Sequence, residues 1–159
     1  MVNEIVSEKG IEKLTQVLAP YIHTANNLTA INDSTAPQIL SILAEGFGKV
    51  ISYRAEAHRR ANRIKTQRKY VEAIAVTERF DKWCESKNQK STDKSKDLFI
   101  SQDNDVIKVR DEEADLEAIA IFLDGIYQLL MMSISSAKTI AFSTPNSRTT
   151  DGIKNYSSF

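Results

Sequence analysis

A chain of 159 residues, 42% hydrophobic and 26% charged, with 21 basic side chains balancing 21 acidic ones, has the makeup of one globular domain and excludes disorder throughout. Five Gly and three Pro in a background rich in Ala, Ile, Leu, Glu, Lys and Arg exclude an all-β fold and favour long helices. The lone cysteine, Cys84, has no partner for an intramolecular disulfide, and Met1 to Gly10 shows no apolar run followed by a small-residue cleavage site, so the expected compartment is cytoplasmic.

The first periodic segment, over about residues 4–31, sets Ile11, Leu14, Leu18, Tyr21, Ala25 and Leu28 three and four residues apart, the spacing of a helix seam, with Val17 and Ile22 beside it. Pro20 removes a backbone hydrogen bond inside that pattern, so a kink or restart is expected there. Asn26, Asn27 and the run Asn32 to Thr35 supply turn and capping chemistry, and Pro37 suits the first turn of a second helix.

A helix over residues 36–86 is the most informative element. Its narrow apolar stripe runs through Leu43, Val50, Tyr53, Ala57, Ala61, Ile64, Val71 and Ala75. Both ends are bulkier, with Ile39, Leu40 and Phe47 before the stripe's small centre and Phe80 and Trp83 after it, so two cores joined by a bridge are expected. Gly46 and Gly48 lie inside this helix and read as places of close packing or bending, not as a phosphate loop. The bridge is basic: Lys49, Arg54, Arg59, Arg60, Arg63, Lys65, Arg68 and Lys69 face a single acid, Glu56, a local charge of +7.

Residues 87–97 have no apolar side chain and read as a linker. Leu98 to Ile100 and Val106 to Val109 flank a cluster of Asp and Asn, which predicts a small β-hairpin over 98–109. The last helix is expected over 111–142, starting in the acids Asp111, Glu112, Glu113, Asp115 and Glu117, where the helix dipole favours negative charge. It is apolar over most of its circumference, apart from a polar strip of Glu117, Asp124, Gln128 and Ser135. Residues 143–159 read as a flexible tail.

These elements predict a mainly α protein with a single helical domain over 1–142: a long helical hairpin or coiled-coil-like bundle, a kinked N-terminal helical segment and a small β-hairpin between the two long helices. The final helix offers more apolar surface than the other segments can cover, so a homo-oligomer is expected, with Leu116, Ile119, Phe122, Leu123, Ile126, Leu129 and Leu130 at its interface. Ala118 to Phe142 is long enough for a membrane span, but Asp124, Gln128 and Lys138 count against one.

Two readings compete for the basic bridge. Arg54, Arg59, Arg60, Arg63, Lys65, Arg68 and Lys69 could bind a protein target or the phosphates of a nucleic acid. Arg54, Lys65 and Lys69 lie on one side of the helix and Arg59 and Arg63 nearly opposite, a scatter that suits pairing with protein acids better than one duplex. The segment Asp103 to Asp124, with eight carboxylates against Lys108 and Arg110, supplies such acids within the chain.

Catalytic, cofactor-binding and metal-binding residues are not expected. His23, His58 and Cys84 have no zinc-site spacing, and Cys84 beside Trp83 reads as a packed residue. Arg54 and His58, one helical turn apart, resemble the paired Arg and His of HEPN-type ribonucleases, which would imply an RNase centred on His58. Only three residues separate them, fewer than in that family's motif, so no family is assigned. The expectation is a non-enzymatic helical interaction, scaffold or inhibitor-type protein, with a nucleic-acid binder as the alternative.

Overall fold

The computed structural model describes residues 10–32 and 34–143. Four α-helices occur in chain order: α1 (Gly10–Asn26), α2 (Ala36–Lys87), α3 (Asp93–Gln102) and α4 (Asn104–Ser143), with a 3-10 turn at Leu28–Ala30. There is no strand among the described residues. The expected tail lies almost wholly outside them, as do residues 4–9 of the first expected helix.

α1 runs through Pro20 as one helix, without the restart that was one of the two outcomes expected there. Pro20 and Gln16, the residue whose carbonyl loses its donor, lie on the exposed side, where water replaces the missing bond. Leu14, Leu18, Tyr21 and Ala25 form the buried seam, while Ile11 stays exposed.

A reciprocally bonded turn over 32–35 leads into α2. The Asn32 side chain accepts from the backbone N–H of Ser34 and Thr35, both at 3.0 Å, and the Thr35 hydroxyl accepts from Asn32 N–H at 2.9 Å. The helix then runs 52 residues to Lys87 and stops at Asn88, whose left-handed φ of 51° turns the chain so that Gln89 N–H reaches Cys84 O at 2.9 Å.

The β-hairpin expected over 98–109 is not formed; α3 and the first turns of α4 occupy those residues. Local capping and burial outweigh β-propensity here. Thr92 and Ser95 make a capping box that starts α3 within the expected linker. Asp103 then accepts from the N–H of Asp105 and Val106 at 3.1 and 3.2 Å, which starts α4 earlier than the acidic cluster. Val106, Val109 and Glu113 are buried and Lys108 exposed, a helical period; a strand would have put Val106 and Lys108 on one face.

α2 and α4 form an antiparallel hairpin, since partners move down α4 as they move up α2: Phe47 stacks on Tyr127 at 5.0 Å, Arg54 meets Asp124, Arg68 meets Glu113 and Arg79 meets Asp103. α1 closes one end over Leu43, Val50, Ala57, Ile119, Leu123 and Leu130. α3 closes the other, where Phe99 sits 5.6 Å from Phe80 and 5.7 Å from Trp83, with Cys84, Ala75 and Val106 around them. The two buried clusters lie towards the two ends of α2, and the first extends into the basic stretch as far as Ala57.

Candidate functional site

The bridge of the hairpin sets the basic stretch of α2 beside the acidic start of α4. Arg54 Nε donates to Asp124 Oδ1, and its guanidinium lies over the Tyr127 ring, 4.8 Å from the centroid. His58 Nε2 is 3.2 Å from the same oxygen of Asp124. The Arg54 hydrogen bond, aided by His58 against partial desolvation, holds the Asp124 carboxyl below its ordinary range. The same bond raises the Arg54 pKa.

Further along, the buried Glu56 takes Arg59 Nη2 and, at 2.8 Å, Arg60 Nε. Arg68 Nε lies 2.9 Å from Glu113 Oε2, close enough for an ion pair, yet its N–H is not aimed for a hydrogen bond. Two clamps continue the series: Arg110 Nη2 on Glu72 at 2.8 Å, and Arg79 on both oxygens of Asp103 at 2.8 and 3.0 Å. Near the α1 end Lys49 reaches Glu45 at 2.8 Å and the Tyr21 hydroxyl, and these partners raise its pKa.

The structure thus brings Arg54 and Arg68 onto carboxylates of the acidic segment, and Arg59 and Arg60 onto Glu56. Arg63, Lys65 and Lys69 remain exposed, without an ion pair among the described residues, and they point to different sides of α2. Arg54, His58, Asp124 and Tyr127 form one cluster across the two long helices. Sequence periodicity named the first three but not Tyr127, whose position one turn beyond Asp124 was the signal.

The residues expected at an oligomer interface divide into enclosed and half-open ones. Ile119, Leu123 and Leu130 are buried in the chain's own core, and Leu116, Phe122, Ile126 and Leu129 pack partly against it. What α4 leaves open is its opposite side: Ile121 is 71% exposed, Met132 65% and Phe142 85%. Among the described residues, Asn104–Phe142 is the one helix long and apolar enough to cross a membrane by length and composition, and only 28% of its most apolar window is buried.

No group of His, Cys, Asp and Glu that could hold a metal occurs among the described residues. Cys84 is buried in the aromatic end core. No protein-family model matches this chain, and no curated protein or solved structure does.

Proposed function

We propose that this protein is a non-enzymatic, oligomeric helical scaffold or inhibitor-type protein that acts by protein–protein binding. The observation that carries this reading is the open apolar side of α4, on a long hairpin whose basic bridge is paired in part with the chain's own carboxylates. An exposed Ile, Met and Phe on one helix are costly in water and favour a partner. The lone, buried Cys84 thiol suits a reducing, cytoplasmic setting.

Light scattering coupled to size exclusion tests the reading: the mass is expected to be a multiple of the 17.9 kDa chain, falling towards one chain on dilution. Replacing Leu123 or Leu130 would not report on assembly, because each is fully buried within the chain. Ile121→Asp and Met132→Asp are the informative changes. Both are expected to lower the mass while helix content by circular dichroism is kept.

Nucleic-acid binding is the second reading, favoured by the exposed Arg63, Lys65 and Lys69 together with Arg59, whose side chain is 77% exposed despite its contact with Glu56. A mobility-shift titration at two salt concentrations separates the readings, since phosphate binding weakens steeply with salt. Absence of a shift at low salt removes the second. An RNase centred on His58 is a weaker reading; it requires that RNA cleavage be lost in His58→Ala.

A further inference from the structure

We infer that the outer side of α4 is the docking face for a second copy of this chain, with the two α4 helices antiparallel and Ile121 of each copy against Met132 of the other. The inference rests on the oligomeric reading above and specifies its contact. Along the open side Ala118, Ile121, Gly125, Gln128, Met132 and Ser135 succeed one another at spacings of three and four, and every one is exposed. That is a heptad seam, the pattern by which two helices interlock. It lies opposite the row of half-buried Leu116 and buried Leu123, Leu130 and Ala137, so α4 can pack against α2 and a second copy at once.

Gly125 sits at the middle of the seam, and a Cβ built on it would meet nothing within 4 Å. Its own chain therefore gives no packing reason for a glycine inside a helix, where glycine costs about 1 kcal/mol relative to alanine. A partner helix approaching closely supplies one.

Charge and size choose the direction. Glu117 flanks the seam at one end and Lys138 at the other, on the same flank, and neither has an ion pair among the described residues. With Gly125 opposite Gln128 of the second copy, Ile121 falls level with Met132 and Ala118 with Ser135. Phe122 then nears Leu129 across one flank. Glu117 and Lys138 come within about 3 Å of the same height on the other. In a parallel pair Asp111, at a position of the seam, would meet its own copy, and Glu117 and Lys138 would lie about 30 Å apart along the axis, too far to pair. Sliding the antiparallel pair by one heptad brings Lys138 to Arg110 in one direction. In the other it sets Gln128 against Met132 and Lys138 against Asp124, which Arg54 and His58 already hold.

Mixed-variant crosslinking of the full chain tests the pairing. Under mild oxidation an equal mixture of Ile121→Cys and Met132→Cys is expected to give a covalent dimer, because those side chains are level, whereas each variant alone is expected to give none. Glu117→Lys is expected to weaken dimerisation about threefold to tenfold, and Lys138→Glu in the same chain to restore it. A covalent dimer from Ile121→Cys alone, or none from the mixture while scattering still shows a dimer, overturns this pairing and leaves the oligomeric reading standing. A monomer at every concentration, or a monomer that floats with phosphatidylcholine vesicles, overturns both.

Discussion

The two ends of the hairpin are held by different means. Where α1 lies across α2 and α4, the core is a continuous set of fully buried aliphatic side chains, Leu14, Leu18, Leu43, Val50, Leu123 and Leu130. Where α3 closes the other end, the apolar cluster is small and aromatic, and each neighbouring helix start is fixed by a side chain: Thr92 with Ser95 for α3, Asp103 for α4. Asp103 does double duty there, since its carboxylate also takes Arg79 of α2. Burial over a large area tolerates weak local signals, as Pro20 inside α1 shows. A ten-residue helix such as α3 has too little area for that, and it depends on caps and a clamp.

The largest expected break in this contrast is at the α1 end. Leu123→Ala removes a fully buried side chain from the three-helix core and is expected to cost about 2–5 kcal/mol in chemical denaturation. Gly46→Ala acts at the same end by overfilling. A Cβ at that position would stand 2.5 Å from the Tyr21 ring, well inside contact, so a loss of about 1–3 kcal/mol is expected. Substituting Gly48, whose Cβ would meet nothing, is the matched control.

At the other end the expected losses are smaller but local. Asp103→Ala removes the α4 cap together with the Arg79 clamp and is expected to cost about 1–2 kcal/mol, with amide exchange rising first around residues 93–109. Thr92→Ala, which breaks one half of the capping box, is expected to cost about 1 kcal/mol and to loosen α3 alone.

The smallest effect lies in the bridge between the ends. Asp124 has a carboxyl pKa lowered chiefly by Arg54, so its contribution is fully present above the unfolded value of about 3.9 and is lost as pH falls through the lower folded value. The stability difference between the wild-type chain and Asp124→Asn is therefore expected to be constant at neutral pH and to close only in strong acid. Its size should be that of a partly exposed pair, about 0–1 kcal/mol, as the Asp124 side chain is 41% exposed.

Much of the architecture was legible from residue spacing. The stripe on α2 identified Leu43, Val50, Ala57, Ile64 and Ala75, all of them buried, because through the basic middle of that helix few other apolar side chains compete for a face. The seam of Leu14, Leu18, Tyr21 and Ala25 was legible for the same reason. Residues 98–109 were not: Leu98 to Ile100 and Val106 to Val109 favour strands locally, and what makes them helical is the cap at Thr92, the cap at Asp103 and the burial of Phe99 against Phe80 and Trp83. The ion pairs from Arg54 and Arg68 were foreshadowed by the opposed charge of two segments, but Glu56, which takes Arg59 and Arg60, is a lone acid among bases and gave no such signal.

By itself the sequence determined that this chain is mainly helical, that two long helices dominate it and that its basic bridge has acids available within the same polypeptide. Tertiary structure alone decided which side of α4 meets α2. That helix is apolar on nearly every side, so its periodicity has no preferred direction. Only the packing of α1 and α2 against Ile119, Leu123 and Leu130 leaves Ile121, Met132 and Phe142 facing outward.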